Sequence, residues 1–198
     1  KDGIFQVKGR FRGAVLRFAA GWPEIRGVDG ELLFDGVRML IKASKGTLLG
    51  GTIASVTAEI PDLESMEEML HIAGKVSGPT AEFLKFIEAS PVGERIDHYT
   101  APIAAVGKGE LDLKLVMPLR QLDKTQVEGR YRFSGNSLKA DPGLPPLTEV
   151  NGELRFTADR LEATKVRAVL LGAPLTLARL PAALTSRGGC HGSLLVLT

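Results

Sequence analysis

The sequence predicts a mainly β chain: a strongly curved antiparallel sheet, an open β-groove bent like a taco, with one helical insertion near residues 79–97. Three observations predict it. Apolar and polar residues alternate over many short stretches, a five-residue formula centred on glycine recurs along the chain, and one seven-residue phrase occurs twice, as VDGELLF at 28–34 and VNGELRF at 150–156.

The alternation comes first because it fixes the element type. Leu111, Leu113, Leu115 and Met117 alternate with Asp112, Lys114 and Val116. Tyr131 and Phe133 alternate with Arg130 and Arg132, and Leu154 and Phe156 with Glu153 and Arg155. A period of two puts one apolar set on one face of a strand and a polar set on the other. Antiparallel meanders with one wet face carry this signature, whereas parallel sheets covered on both faces read as continuous apolar runs.

The strand openings share a formula: a β-branched residue, any residue, glycine, a charged residue, an apolar one. It is met at Val7–Phe11, Val28–Leu32, Ile72–Val76, Val127–Tyr131 and Val150–Leu154. Glycine inside a strand marks a bulge, a bend or a close approach, and the same glycine in successive strands curves a sheet.

The larger repeat has an offset of 150 − 28 = 122. Laid at that offset, residues 23–50 and 145–172 agree at 10 of 28 positions without a gap, against roughly one in fifteen to twenty for average residue usage. Both copies end in Leu-Leu-Gly. The chain therefore reads as a β-groove fragment over 1–198, with related units at about 22–60 and 144–178, each holding several strands.

Two segments break the pattern. In GPTAEFLKFIEASPVGERIDH (78–98), Thr80 is positioned to cap a helix, Glu82 falls in its first turn, and Phe83, Leu84, Phe86 and Ile87 crowd one side. Pro91 should end the helix, with a further helical turn near 92–96. DPGLPPLTEV (141–150) reads as a proline-rich loop.

Composition narrows the function classes. The formal net charge of +2 and the 6% of aromatic residues argue against nucleic acid as a partner. A single cysteine, Cys190, excludes an intrachain disulfide framework. No stretch approaches the apolar length of a transmembrane helix. The chain begins at Lys1 and reads as an internal piece of a longer protein.

No catalytic constellation emerges. His71, His98 and His191 stand at no metal-ligand spacing, so neither a metal nor another cofactor is expected. Cys190 and His191 are neighbours and, on a strand, point to opposite faces. Asp97 and His98 are likewise adjacent, and adjacent helix positions do not face each other. GKGE at 107–110 lacks the third glycine of a dinucleotide site and reads as a strand-entry turn. Glu31 and Glu153 occupy matching solvent-facing positions of the repeat, which explains them better than a hydrolytic carboxylate pair. The segment around Phe83–Ile87 has Lys85 alone among basic residues, so it reads as a helix packed on the sheet rather than on a membrane surface. What remains is the apolar sheet face, either the inside of an ordinary core or an open groove.

Several stretches together resemble the YhdP family, relatives of AsmA and TamB in Gram-negative envelopes. They are GWPEIRGVDGELLFDG (21–36), ASVTAEIPDL (54–63), GKVSGPTAEFLKFIEASPVG (74–93) and GELDLKLVMPL (109–119), then VEGRYRFSGNSLKADPGLPPLTEVNGELRFT (127–157) and LLGAPLTL (170–177). The likeness covers roughly residues 15–178; residues 179–198, with Cys190, depart from it. The resemblance implies a very long periplasmic protein anchored in the inner membrane, in which repeated β units form a trough with an apolar floor. It implies a non-enzymatic role in moving phospholipids between inner and outer membranes, with phospholipid acyl chains as cargo and envelope proteins as possible partners. Within this expectation the groove floor is Leu32, Phe34, Leu111, Leu113, Leu115, Tyr131, Phe133, Leu154 and Phe156. The alternative is an envelope scaffolding or protein-binding module, its sheet packed into a closed core and its edges open to strand addition.

Overall fold

Each alternating stretch forms a strand, and each strand pairs with the next in sequence. The computed structural model describes residues 5–17, 23–90, 93–94, 98–158, 160–185 and 189–191. The strands are β1 (Gln6–Leu16), β2 (Ile25–Asp35), β3 (Arg38–Leu48), β4 (Gly51–Ile60), β5 (Met69–Pro79), β6 (Ala104–Pro118), β7 (Gln126–Lys139), β8 (Leu147–Thr157), β9 (Arg160–Leu170), β10 (Ala173–Thr185) and the short β11 (Gly189–His191). They form one sheet in the order β1 to β11, antiparallel throughout, with β1 and β11 at its two ends. The sheet is open, and no second sheet covers it among the described residues.

The Leu-Leu-Gly phrases are tight hairpin turns. Leu49 and Gly50 have φ of 50° and 104°, and Leu171 and Gly172 have 52° and 82°. Two central residues at positive φ are what a type I′ turn requires, and its twist matches that of the strands it joins.

The register of β2 with β3 recurs in β8 with β9. Ile25 faces Leu48, Asp29 faces Lys45, Leu32 faces Ile41 and Phe34 faces Met39; at the offset of 122, Leu147 faces Leu170, Asn151 faces Arg167, Leu154 faces Ala163 and Phe156 faces Leu161.

Register shifts gather at one end of the sheet. They lie between Phe11 and Ala14, Arg26 and Asp29, Ile53 and Ser55, Val106 and Lys108, Phe133 and Asn136, and Thr148 and Asn151. Glycine at positive φ serves several of them: Gly13, Gly27 and Gly135 at 63° and Gly107 at 120°. Bulges of this kind bend a strand and increase its twist. GKGE at 107–110 is therefore not an entry turn: it lies inside β6, and Gly107 is the bulge, since the strand already begins at Ala104.

The helix α1 (Thr80–Glu88) follows β5 directly, at the same end as the bulges. Residues 93–94 are again helical, while 91–92 and 95–97, including Pro91 and Asp97, fall outside the described residues. The expectation that Thr80 caps the helix is corrected. Pro79 holds the N-cap position without a side-chain cap bond, and Thr80 is the first helical residue. Proline cannot donate a backbone N–H and has its φ fixed at a value suited to the entry, which frees the Thr80 hydroxyl for other partners.

Candidate functional site

Cross-strand partners in an antiparallel sheet point the same way, so the register sorts every side chain to a face. One row runs Gly9, Leu32, Ile41, Ala58, Ile72, Leu115, Val127 from β1 to β7, each residue directly opposite the next. The next row runs Phe11, Gly30, Ala43, Val56, Gly74, Leu113, Gly129, Phe156 from β1 to β8. A third holds Ile53, Val76, Leu111, Tyr131, Leu154 and Ala163. Phe34 lies beyond Leu32 on β2, opposite Val7 and Met39, and Phe133 lies beyond Tyr131 on β7, opposite Gly109 and Gly152. The nine residues named from alternation therefore share one face.

The opposite face is a lattice of charge. Arg10 and Lys8 meet Glu31 at 2.9 and 3.7 Å, Arg38 meets Glu59 at 2.7 Å, and Lys75 meets Asp112 at 3.6 Å. Arg132 reaches Asp112 at 2.9 Å and Glu110 at 3.5 Å, while Arg155 and Arg130 reach Glu153 at 2.6 and 3.6 Å. The hydrogen bond from Arg10 and the charge of Lys8 hold the Glu31 carboxyl below its ordinary range. Glu31 and Glu153 are thus each engaged with arginine on separate strands, β2 and β8. A shallow cavity of about 660 Å³ has a mixed lining: Ser77, Lys108, Glu110 and Arg132 supply polar groups, and Pro79 and Phe133 apolar ones.

The formula glycines have a sharper role than curvature alone. A Cβ at Gly30 would stand 2.7 Å from the Phe11 ring, at Gly129 2.0 Å from the Phe156 ring, at Gly74 2.9 Å from Val56 and at Gly152 2.8 Å from Val166. Each glycine is the bed on which the neighbouring strand's side chain lies flat. Gly9, on edge strand β1, has open space instead.

Burial on the apolar face is uneven. Val28, Ile53, Phe133, Val150, Ala163, Val166 and Ala168, all buried, lie in the bulged half, and Tyr131, Leu138, Leu147 and Leu154 pack against the cluster there. In the other half Ala43 and Ile60 are buried, while Leu32, Ile41, Ile72, Leu113 and Leu115 are half-buried. The helix sits on the bulged half: the Phe83 ring meets Tyr131 edge-on with centroids 4.9 Å apart. Beneath it, the Tyr131 hydroxyl and the Asn136 Nδ2 both donate to Thr80 Oγ1, each at 2.9 Å. Burial pushes the Tyr131 phenol up, only partly offset by that bond. Alternation could not have disclosed Thr80 or Asn136, because Thr80 belongs to the helix and Asn136 is a polar residue on the apolar face of β7.

The remaining sequence candidates do not assemble. His98 sits in a turn with φ of 51° and bonds Glu88 through Nδ1 at 2.7 Å, beside Thr100. Although burial pushes the Glu88 carboxyl up, the bonds from Thr100 and His98 outweigh it and lower its pKa. Asp97 falls outside the described residues. Cys190 and His191 belong to β11, opposite Leu184 and Ala183.

A sheet this long, apolar on one face and charged on the other, fits the family whose model, YhdP protein, matches residues 1–189. The chain belongs to the YhdP family. The match runs past residue 178, where the sequence likeness fades, into β11. The chain is also similar to the intermembrane phospholipid transporter YhdP of Escherichia coli (strain K12), 27% identical over 179 residues. That alignment covers 89% of this chain and 14% of the relative, so the chain spans about 14% of that protein's length. No solved structure matches it. Among the described residues no helix is long and apolar enough to cross a membrane.

Proposed function

We propose that this chain is a non-enzymatic segment of an intermembrane phospholipid conduit, with the apolar face carrying acyl chains while head groups stay in water. The parent protein would be periplasmic and anchored in the inner membrane, spanning towards the outer one. The observation that carries the reading is the row from Phe11 to Phe156, apolar or glycine at every position across eight consecutive strands. The family match and the relative's name support it.

The physics favours sliding over capture. Each methylene taken out of water contributes roughly 0.8 kcal/mol, so a shallow face holds a tail. Successive strands repeat nearly the same surface, so neighbouring positions along a row differ little in energy and none traps the chain. Placing a carboxylate on this face at Leu113, opposite Gly74 and Gly129, should break the row. Lipid extraction and mass spectrometry on the purified protein test this: phospholipid should accompany the natural chain and be lost from Leu113→Asp with circular dichroism unchanged. A folded natural chain free of phospholipid, or equal lipid in both, would defeat the reading.

A further inference from the structure

We infer that acyl chains occupy only the half of the apolar face away from α1, and that α1 is a wall clasped in place by Thr80, Tyr131 and Asn136. This rests on the lipid-carrying reading and narrows its binding site.

The two halves differ in what is free to touch a ligand. On the far side, the rows through Leu32–Leu115 and Phe11–Phe156 run unbroken and half-buried except at Ala43 and Gly129, without any register shift between β2 and β3 from Gly30 to Asp35 or between β5 and β6. Eight strands at the usual spacing extend about 34 Å, and with the Phe34 position added the strip is roughly 13 Å wide. On the helix side, Tyr131 is already covered by Phe83, and Phe133 and its neighbours are buried in their own cluster. Leu111 and Leu154 stand beside Tyr131 in the same row. Leu111 and Leu154 are themselves half-buried, so a tail reaching them would have to displace the Phe83–Tyr131 contact beside them as well as water.

The clasp explains why the helix stays. Thr80 Oγ1 receives two hydrogen bonds from the sheet in a buried place, and Asn136, 1% exposed, is held against Gly107, where a Cβ would stand 1.7 Å from Asn136 Oδ1. Polar groups buried this deeply cost several-fold more to unpair than exposed ones. Glu82 rests on the Leu49–Gly50 turn, 2.9 Å from where a Gly50 Cβ would be, so the first turn of α1 is braced from both sides.

The test places a benzophenone-bearing amino acid at Ile41 or Leu115 on the far side, and at Leu111 or Leu154 on the helix side, in the full chain loaded with vesicle phospholipid. After irradiation, phospholipid adducts are measured by mass spectrometry, with circular dichroism verifying the fold of each variant. Adducts should be at least tenfold more abundant at Ile41 and Leu115. In a Thr80→Val background, which removes the acceptor of both clasp bonds, adducts at Leu111 and Leu154 should rise several-fold. Equal labelling on both sides of the natural chain would overturn the corridor while leaving lipid carriage standing. An unchanged pattern in Thr80→Val would overturn the clasp. No adduct at any of the four positions would defeat the lipid reading itself, and the corridor with it.

Discussion

The two halves of the apolar face are built from the same alternation and have become different materials. Near α1 the strands carry bulges, the side chains are buried, and polar residues pin a helix down. Away from it the pairing is regular and most large side chains, Leu32, Ile41, Ile72, Leu113 and Leu115 among them, stay half-open. The same pattern of residues thus supplies stability in one half and an accessible surface in the other. The bulge glycines and the helix make the difference, not hydrophobicity. Gly30 and Gly152, one repeat apart, illustrate it: the first beds Phe11 of the edge strand, the second beds Val166 of the buried cluster.

The largest separation between the halves should appear on truncation. Phe133→Ala removes a buried ring from the cluster with Val150 and Val166 and should cost about 3–5 kcal/mol. Leu115→Ala, half-buried on the far side, should cost under about 2 kcal/mol. Chemical denaturation of the two variants measures both. Equal losses would mean that the far half is as much a core as the near one.

A smaller effect separates the formula glycines. Gly129→Ala drives a methyl to within 2.0 Å of the Phe156 ring, and the ring must leave its bed; overpacking of this kind costs about 1–3 kcal/mol. Gly9→Ala meets nothing within 4 Å and, by reducing the freedom of the unfolded chain, should be neutral or stabilising by up to about 1 kcal/mol. Similar denaturation midpoints for the two would show that the glycines serve something other than ring packing.

Much of this architecture was legible in the sequence. Period-two alternation at Leu111–Met117 and Leu154–Phe156 assigns strands because no other element puts every second residue on one face. The seven-residue repeat anticipates that β8 and β9 pair as β2 and β3 do. The helix was visible from Phe83–Ile87, but its cap was not: Thr80 has the chemistry of a cap residue, and only the tertiary partners Tyr131 and Asn136 divert its hydroxyl. GKGE misled for a related reason. Two glycines signal a turn locally, whereas the bulge at Gly107 is set by where Asn136 must sit on the next strand. Burial was the least legible property, since alternation names a face without saying what covers it. Leu113 and Phe133 read alike in sequence and differ in the fold.

The smallest predicted effect tests the clasp through protonation. Burial raises the Tyr131 pKa above the ordinary value of 10.0, so the fold favours the neutral phenol. The contribution is then complete below pH 10 and is lost as pH rises through the raised value. Tyr131→Phe keeps the ring against Phe83 and Gly109 but removes the donor to Thr80, at a cost of about 1 kcal/mol near neutrality. It should also remove this part of the alkaline loss, so the natural chain and the variant should converge in stability as pH rises above 10. Parallel curves across that range would place the Tyr131 hydroxyl in water, and would leave α1 held by Phe83 and Asn136 alone.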